Sequence, residues 1–177
     1  MNFQRKKTKQ TYVILHNIRS VHNVGSIFRT ADAAGIAKIF LIGITPAPVD
    51  RFGRTRKDFL KVSLGAERSV LWELAPTITP VLKTLKKEGV TVVAVEQSKD
   101  SVDYRKLKPS PATAFIFGNE VEGLPASVLK ASDMICEIPM RGEIVRQAHH
   151  PRQTGVGKES LNVGVAAGIV LFNRISR

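Results

Sequence analysis

The sequence is poor in cysteine, in long apolar runs and in acidic side chains. Cys136 is the only cysteine in 177 residues, so no disulfide can form within the chain, and no group of cysteines and histidines has zinc-site spacing. No apolar run approaches the ~18 residues of a membrane span, and the basic N-terminus lacks the apolar stretch of a signal peptide. The sequence therefore predicts a globular protein of the reducing cytoplasm, with no membrane association and no bound metal.

The deficit of acidic residues leaves a strongly basic chain. Lys and Arg number 27 against 15 for Asp and Glu, a net charge of +12. An excess of this size attracts polyanions, because neutralised phosphates release their counterions. A nucleic acid is the expected partner, although net charge alone is also compatible with a role in solubility.

Much of the positive charge falls in residues 44–65, which contain Pro46, Pro48 and Gly53. This composition predicts a long surface loop with little core. The candidate RNA-binding residues in it are Arg51, Arg54, Arg56, Lys57 and Lys61. A loop that is merely solvated fits the same composition equally well, so RNA contact is a hypothesis at this point.

Apolar runs alternate with helical patterns along the chain. Residues 11–16 and 38–42 are predicted strands, and 26–34 between them is a predicted helix that ends at Gly35. This unit is typical of a parallel sheet covered by helices on both faces. Further strands are predicted at 90–95, 114–117 and 134–138, and further helices after Pro76, after Pro125 and over 161–174. The sequence thus predicts one α/β domain over 1–177, with five or six strands and a basic tail at 1–10.

Three segments rich in small and polar residues follow predicted strands, at the edge where open α/β sheets bind ligands. They are HNVGSIFRT at 22–30, FGNEVEGLP at 117–125, and IPMRG at 138–142 together with SLNV at 160–163. Asn23 and Ser26 are candidate caps of a helix whose N-terminal end favours an anion, and Arg29 offers a planar fork for phosphate. Gly118 and Gly123 permit close backbone approach. Taken singly, these segments also fit an ordinary helix start, a turn and a tightly packed helix.

Together the three segments resemble motifs 1, 2 and 3 of the TrmH family, also called SpoU-like, in the SPOUT class of RNA methyltransferases. The matching stretches are HNVGSIFRTADAAG, FGNEVEGLP, and IPMRG followed by ESLNVGVAAGIVLF, in the order and spacing of the family. The resemblance implies a Rossmann-like parallel sheet with a C-terminal deep trefoil knot. It also implies a homodimer in which motif 1 residues reach the partner's active site, and the apolar helix at 163–167 suits such an interface.

The implied reaction is methyl transfer from S-adenosylmethionine to a ribose 2′-hydroxyl of RNA. Transfer RNA is slightly favoured over ribosomal RNA, because the chain has no room for a separate RNA-binding domain. The resemblance places Arg29 on the phosphate beside the target ribose and gives as catalytic candidates Asn23, Arg29, Glu120, Ser160 and Asn162. The cofactor-binding candidates are Gly118, Asn119, Ile138, Met140, Gly142 and Leu161. Glu120 and water are both candidates for the general base, since a guanidinium gives up a proton only at great cost.

One stretch departs from the family pattern. Residues 143–157, EIVRQAHHPRQTGVG, look like an insertion in the cofactor-binding knot loop. They contain few large apolar side chains, so we expect an exposed and mobile excursion, and adjacent histidines seldom face one metal ion. The insertion keeps open the alternative of a catalytically impaired RNA-binding relative. A second alternative is a SPOUT enzyme that methylates a base.

Overall fold

The computed structural model describes residues 10–108, 110–141 and 160–176. Within these ranges seven strands form one parallel sheet in the order β3-β2-β1-β6-β4-β7-β5. The strands are β1 (Gln10–His16), β2 (Lys38–Ile42), β3 (Trp72–Ala75), β4 (Thr91–Val95), β5 (Val102–Asp103), β6 (Ala112–Phe117) and β7 (Met134–Glu137). The helices are α1 (Val21–Ala33), α2 (Lys57–Ser63), α3 (Ala66–Ser69), α4 (Ile78–Lys87), α5 (Ala126–Ala131) and α6 (Val163–Ile175).

Two apolar cores lie on opposite faces of the sheet. Val13 and Leu15 of β1 pack with α1, α2 and α6, whereas Ile14 between them packs with α4 and α5. Burial on both faces explains why the central strands are continuous apolar runs. The predicted parallel α/β architecture with helices on both faces is confirmed. The predicted knot closure, Gly142, the insertion at 143–157 and most of the basic tail lie outside the described residues. None of the described helices is long and apolar enough to cross a membrane.

Helix α1 begins more than a turn earlier than the sequence suggests. Ser20 precedes it in an extended conformation, and its Oγ accepts a hydrogen bond from the Asn23 main-chain N–H at 3.2 Å. The prediction that Asn23 and Ser26 cap this helix is therefore wrong, because both already lie inside it. Gly25 also lies inside the helix, at a point where α2 packs too closely to leave room for a side chain. A Cβ at Gly25 would lie 2.8 Å from the Cβ of Val62.

Residues 44–65 are only partly the open loop that composition predicts. Thr45 is buried and its hydroxyl donates to the Leu15 carbonyl at 3.0 Å. Residues 57–63 form α2, whose fully buried Phe59 packs edge-on against Phe28, with ring centroids 5.2 Å apart. Phe59 is the only large side chain of α2 that is fully buried, so the sequence shows no helical repeat of apolar residues. For this reason the composition predicts a loop instead of α2. The longest continuous exposed stretch of the segment is residues 51–55.

Candidate active site

A cavity of about 770 Å³ opens at the carboxyl ends of the central strands. Its walls come from the ends of β4 and β7, from the loop that follows β6, and from the starts of α1 and α6. Because neighbouring strands are parallel, all of these connections emerge at one edge of the sheet. The three motif segments, which are far apart in the chain, therefore meet around a single cavity.

The carboxylate of Glu120 joins the second segment to the first. Its Oε1 accepts hydrogen bonds from the Asn23 side-chain amide at 2.8 Å and from the Ser20 main-chain N–H at 3.3 Å. Its Oε2 accepts from the Arg19 main-chain N–H at 3.1 Å. The positive N-terminal end of α1, which the sequence suggested as a phosphate site, is thus occupied by the protein's own carboxylate.

Asn162 extends this network to the third segment. Its side-chain amide donates to Oδ1 of Asn23 at 3.0 Å, and its own Oδ1 caps α6 by accepting from the Gly164 main-chain N–H at 2.9 Å. A carboxylate only accepts, so Glu120 forces Asn23 to present its NH₂ group and to turn its oxygen toward Asn162. Asn162 must in turn present its NH₂ group and keep its oxygen for the helix. Glu120 therefore sets the orientation of both amides.

The loop after β6 is held at both ends. Asn119 donates to the Asn17 carbonyl at 2.9 Å and accepts from the Val121 main-chain N–H at 2.8 Å. Gly123 has φ +67°, and a Cβ at Gly118 would lie 2.7 Å from its carbonyl carbon, so this turn requires both glycines. At the far end Glu96 accepts from the Leu124 main-chain N–H at 2.8 Å.

Sequence reasoning missed Glu96, Ser20 and Arg19. Glu96 directly follows β4 at the ligand-binding edge of the sheet, so its position was a usable signal. The roles of Ser20 and of the Arg19 main chain depend on where α1 begins, which the sequence placed too late.

The charge state of Glu120 follows from its contacts. Partial burial opposes ionisation, but the bonds from Asn23 and from the Arg19 and Ser20 N–H groups outweigh it, and the pKa lies below the ordinary value for glutamate. Glu120 is therefore a carboxylate at neutral pH. A carboxylate with a lowered pKa is a weaker base than an ordinary glutamate, and in this structure Glu120 orients Asn23 and the start of α1.

The structure brings most of the predicted site residues to the cavity wall. Those that line it are Asn23, Gly118, Asn119, Glu120, Ile138, Met140, Ser160, Leu161 and Asn162. Arg29 does not line it. It is exposed on α1, about 9 Å farther along the helix axis than Asn23 and turned to another side. Within one chain, Arg29 and Asn23 do not face the same ligand.

The predicted RNA-binding side chains lie on the connection that follows β2. In the sheet β2 is a neighbour of β1. Arg54 pairs with Asp50 at 2.8 Å, and Arg56 pairs with Asp58 at 2.7 Å. Arg51, Lys57 and Lys61 are exposed and form no ion pair within the described ranges. In the same ranges no three His, Cys, Asp or Glu side chains come together as metal ligands would.

Residues 10–146 match the model of the SpoU rRNA Methylase family. The chain belongs to this family. It is similar to the tRNA (guanosine(18)-2'-O)-methyltransferase of Thermus thermophilus, with 30% identity over 95% of this chain and 75% of that protein. It is also similar to the 23S rRNA (guanosine-2'-O-)-methyltransferase RlmB of Neisseria meningitidis serogroup B, with 31% identity over 90% of this chain and 55% of that protein.

The solved structures agree. The AdoMet-bound rRNA methyltransferase from Sinorhizobium meliloti superposes with a TM-score of 0.75 at 30% identity, over 94% of this chain and 56% of that chain. The chain thus spans three quarters of the tRNA-directed relative and just over half of the two rRNA-directed ones. The predicted family and the parallel α/β fold are confirmed, and with them the assignment of the chain as an RNA methyltransferase.

Proposed function

We propose that this chain transfers the methyl group of S-adenosylmethionine to a ribose 2′-hydroxyl of RNA. The observation that carries the proposal is the Glu120–Asn23–Asn162 network, which joins the three family motifs at one cavity. Both relatives named above are 2′-O-methyltransferases of guanosine. We favour tRNA as the substrate class because the chain spans more of the tRNA-directed relative.

The cavity suits S-adenosylmethionine in size and in charge. Its volume of about 770 Å³ falls in the ordinary range for small-molecule sites. Phe117, Ile138 and Leu161 provide apolar walls, while Glu96 and Glu137 add negative charge that favours a cationic sulfonium. When bound, the cofactor supplies an electrophilic methyl group. Main-chain groups at Gly118, Ile138, Met140 and Leu161 are its proposed contacts, and Asn119 holds the loop after β6.

The residues of the network act by positioning. An in-line displacement requires the attacking oxygen to be held about 3–3.5 Å from the methyl carbon, and such alignment supplies much of an acceleration. Asn23, Asn162 and Ser160 are the groups that would orient the ribose at the cavity wall. Glu120 fixes the first two. Arg29 would hold the phosphate beside the ribose.

The proposed assembly is a homodimer in which Arg29 serves the partner's cavity. Two observations support the dimer: Arg29 lies away from the cavity of its own chain, and an apolar stripe on α6 is uncovered. Val165, Phe172 and Ile175 are 52%, 44% and 42% exposed and recur on one side of the helix. Of the range 163–167, which the sequence suggested for the interface, Val165 belongs to this stripe, whereas Val163 and Ala167 are buried within the chain. The cytoplasm is the proposed location, where the RNA substrate is found.

The test is methyl transfer from isotopically labelled S-adenosylmethionine to purified tRNA and rRNA, followed by nucleoside digestion and mass analysis. We expect a labelled ribose 2′-O-methyl nucleoside from tRNA. A label on the base would replace the proposal with the base-methylating alternative. RNA binding with no transfer and no saturable heat on titration with S-adenosylmethionine would instead identify a non-catalytic RNA-binding relative.

A further inference from the structure

Phe52 is the most exposed aromatic side chain in the ranges that the structure describes. It remains 66% exposed and belongs to neither apolar core. Two guanidinium groups lie beside it, with Cζ of Arg51 4.7 Å and Cζ of Arg54 5.0 Å from the ring centroid. The ring therefore adds nothing to either apolar core. It instead places an exposed aromatic surface next to two positive charges.

The turn that carries the ring is ordered by its own hydrogen bonds. Oδ1 of Asp50 accepts from the Phe52 main-chain N–H at 2.8 Å and from the Arg54 main-chain N–H at 2.9 Å. Oδ2 of the same carboxylate accepts from Arg54 Nε at 2.8 Å. Gly53 supplies the positive φ of +77° that closes the turn. None of these bonds involves the phenyl ring, so the ring can change without loss of the turn.

The connection that carries the turn starts at the sheet edge where the cavity opens. It leaves the carboxyl end of β2, and β1 alone separates β2 from β6, whose carboxyl end forms the cavity wall. Strands are spaced about 5 Å apart, so the ends of β2 and β6 are roughly 10 Å from each other. An RNA that runs from the cavity across the end of β1 toward the connection after β2 would bring neighbouring nucleotides to this turn.

We infer that Phe52 is a stacking platform for an unpaired base of the RNA substrate, with Arg51 and Arg54 contacting the flanking phosphates. The inference rests on the proposed function and adds the kind of RNA that is bound. Aromatic rings stack on any base, and arginines beside them add charge attraction. Bases inside a duplex are covered on both faces by their neighbours, so the platform selects a loop, bulge or single-stranded end.

The experiment compares two RNA probes. One is a stem–loop with a fluorescent adenine analogue in the unpaired loop, and the other is the same stem as a continuous duplex. We expect Phe52→Ala to weaken stem–loop binding on the order of tenfold, the range seen when one stacked base is lost. Duplex affinity, the log–log salt slope and the melting temperature should be unchanged. In the wild type, stacking of the analogue on the ring should quench its fluorescence. Phe52→Trp should keep both the tight binding and this quenching.

Leu71→Ala is the matched control. Leu71 is 69% exposed but precedes β3 at the opposite edge of the sheet, so its loss should alter neither probe's affinity. Equal affinity of wild type and Phe52→Ala for the stem–loop would overturn the inference, as would an equal loss on both probes. A shift in oligomeric state with Phe52→Ala would make the ring a subunit contact and would overturn it too. Methyl transfer by the wild type separates these outcomes from failure of the proposed function itself.

Discussion

Replacing Glu120 by glutamine tests whether one carboxylate organises the site. The wild-type side chain accepts three hydrogen bonds, from Asn23, Ser20 and Arg19. An amide has one oxygen. If that oxygen stays with Asn23 and Ser20, the NH₂ group of the glutamine faces the Arg19 N–H, where two donors meet. The substitution replaces one oxygen by an NH₂ group and leaves the shape of the side chain intact.

The expected loss of stability is about 2 kcal/mol. A hydrogen bond to a charged group contributes roughly 1.5–3 kcal/mol, and a carboxylate at a helix N-terminus roughly 0.3–1 kcal/mol. The lower end applies because Glu120 is only partly buried. Since its pKa is lowered in the folded state, the carboxylate stabilises the fold at neutral pH, and this contribution is lost as the pH falls through the folded-state pKa. The difference between wild type and Glu120→Gln should therefore be largest at neutral pH and shrink toward acid.

The assay is urea denaturation across the acidic to neutral range, together with kcat and S-adenosylmethionine affinity. We expect kcat to fall, because Asn23 and Asn162 lose their fixed orientation, while cofactor affinity changes little, because Asn119 and Glu96 still hold the loop. Glu122→Gln is the control. That carboxylate is exposed and lies 3.8 Å from Arg19, so its loss should cost under about 0.5 kcal/mol. Equal stability of Glu120→Gln and wild type at neutral pH would refute the reasoning.

Three further predictions concern the cofactor loop, the phosphate contact and the basic connection. Glu96→Ala should weaken S-adenosylmethionine binding about tenfold in calorimetry, because the Leu124 N–H loses its acceptor, and Glu96→Gln, which keeps an acceptor oxygen but not the charge, should restore part of the affinity. Arg29→Ala and Arg29→Lys should both abolish transfer while cofactor affinity stays within a few-fold, and near-normal turnover of the lysine variant would exclude a two-pronged phosphate contact. Neutralising three charges of the basic connection should reduce the slope of log binding constant against log salt concentration for RNA. The expected reduction is roughly 0.7–0.9 for each phosphate that is no longer neutralised. Neutralising three lysines on α4 and α5 should leave this slope unchanged. The loop set is Arg54, Arg56 and Lys57, and the control set is Lys83, Lys87 and Lys130.

The strands predicted most directly are those buried on both faces, although the half-buried β7 was also located to within a residue. β2 was located from its unbroken apolar run, and β1 and β4 to within a residue, because a central parallel strand has no polar side. Edge strands lack that signature. Glu73 and Leu74 of β3 are exposed, and β5 is two residues long, so neither differs from a loop in sequence.

The candidate site divides in the same way. The motif residues were found because each follows a strand at one edge, and the pattern of three segments matched a family. The hydrogen bonds between segments could not be found, because they join residues about 100 and 139 positions apart. Ser20 was overlooked for a local reason. Asn23 and Ser26 are equally good capping residues by type, and only the packing of α1 against α2 and α6 decides where the helix begins.

The structure narrows the choice of proton acceptor. A general base is most effective when its pKa is near the working pH and its lone pairs are available to the proton. Glu120 fails on both counts, since its pKa is lowered and its oxygens already accept three hydrogen bonds. A guanidinium gives up a proton only at great cost, so Arg29 is not a candidate either. Of the two candidates that the sequence left open, we therefore favour water, and we propose that the protein contributes by aligning the ribose through groups that Glu120 holds in place. A catalyst of this kind should lose rate when Asn23 or Asn162 is misoriented, without any change in the pH dependence of kcat.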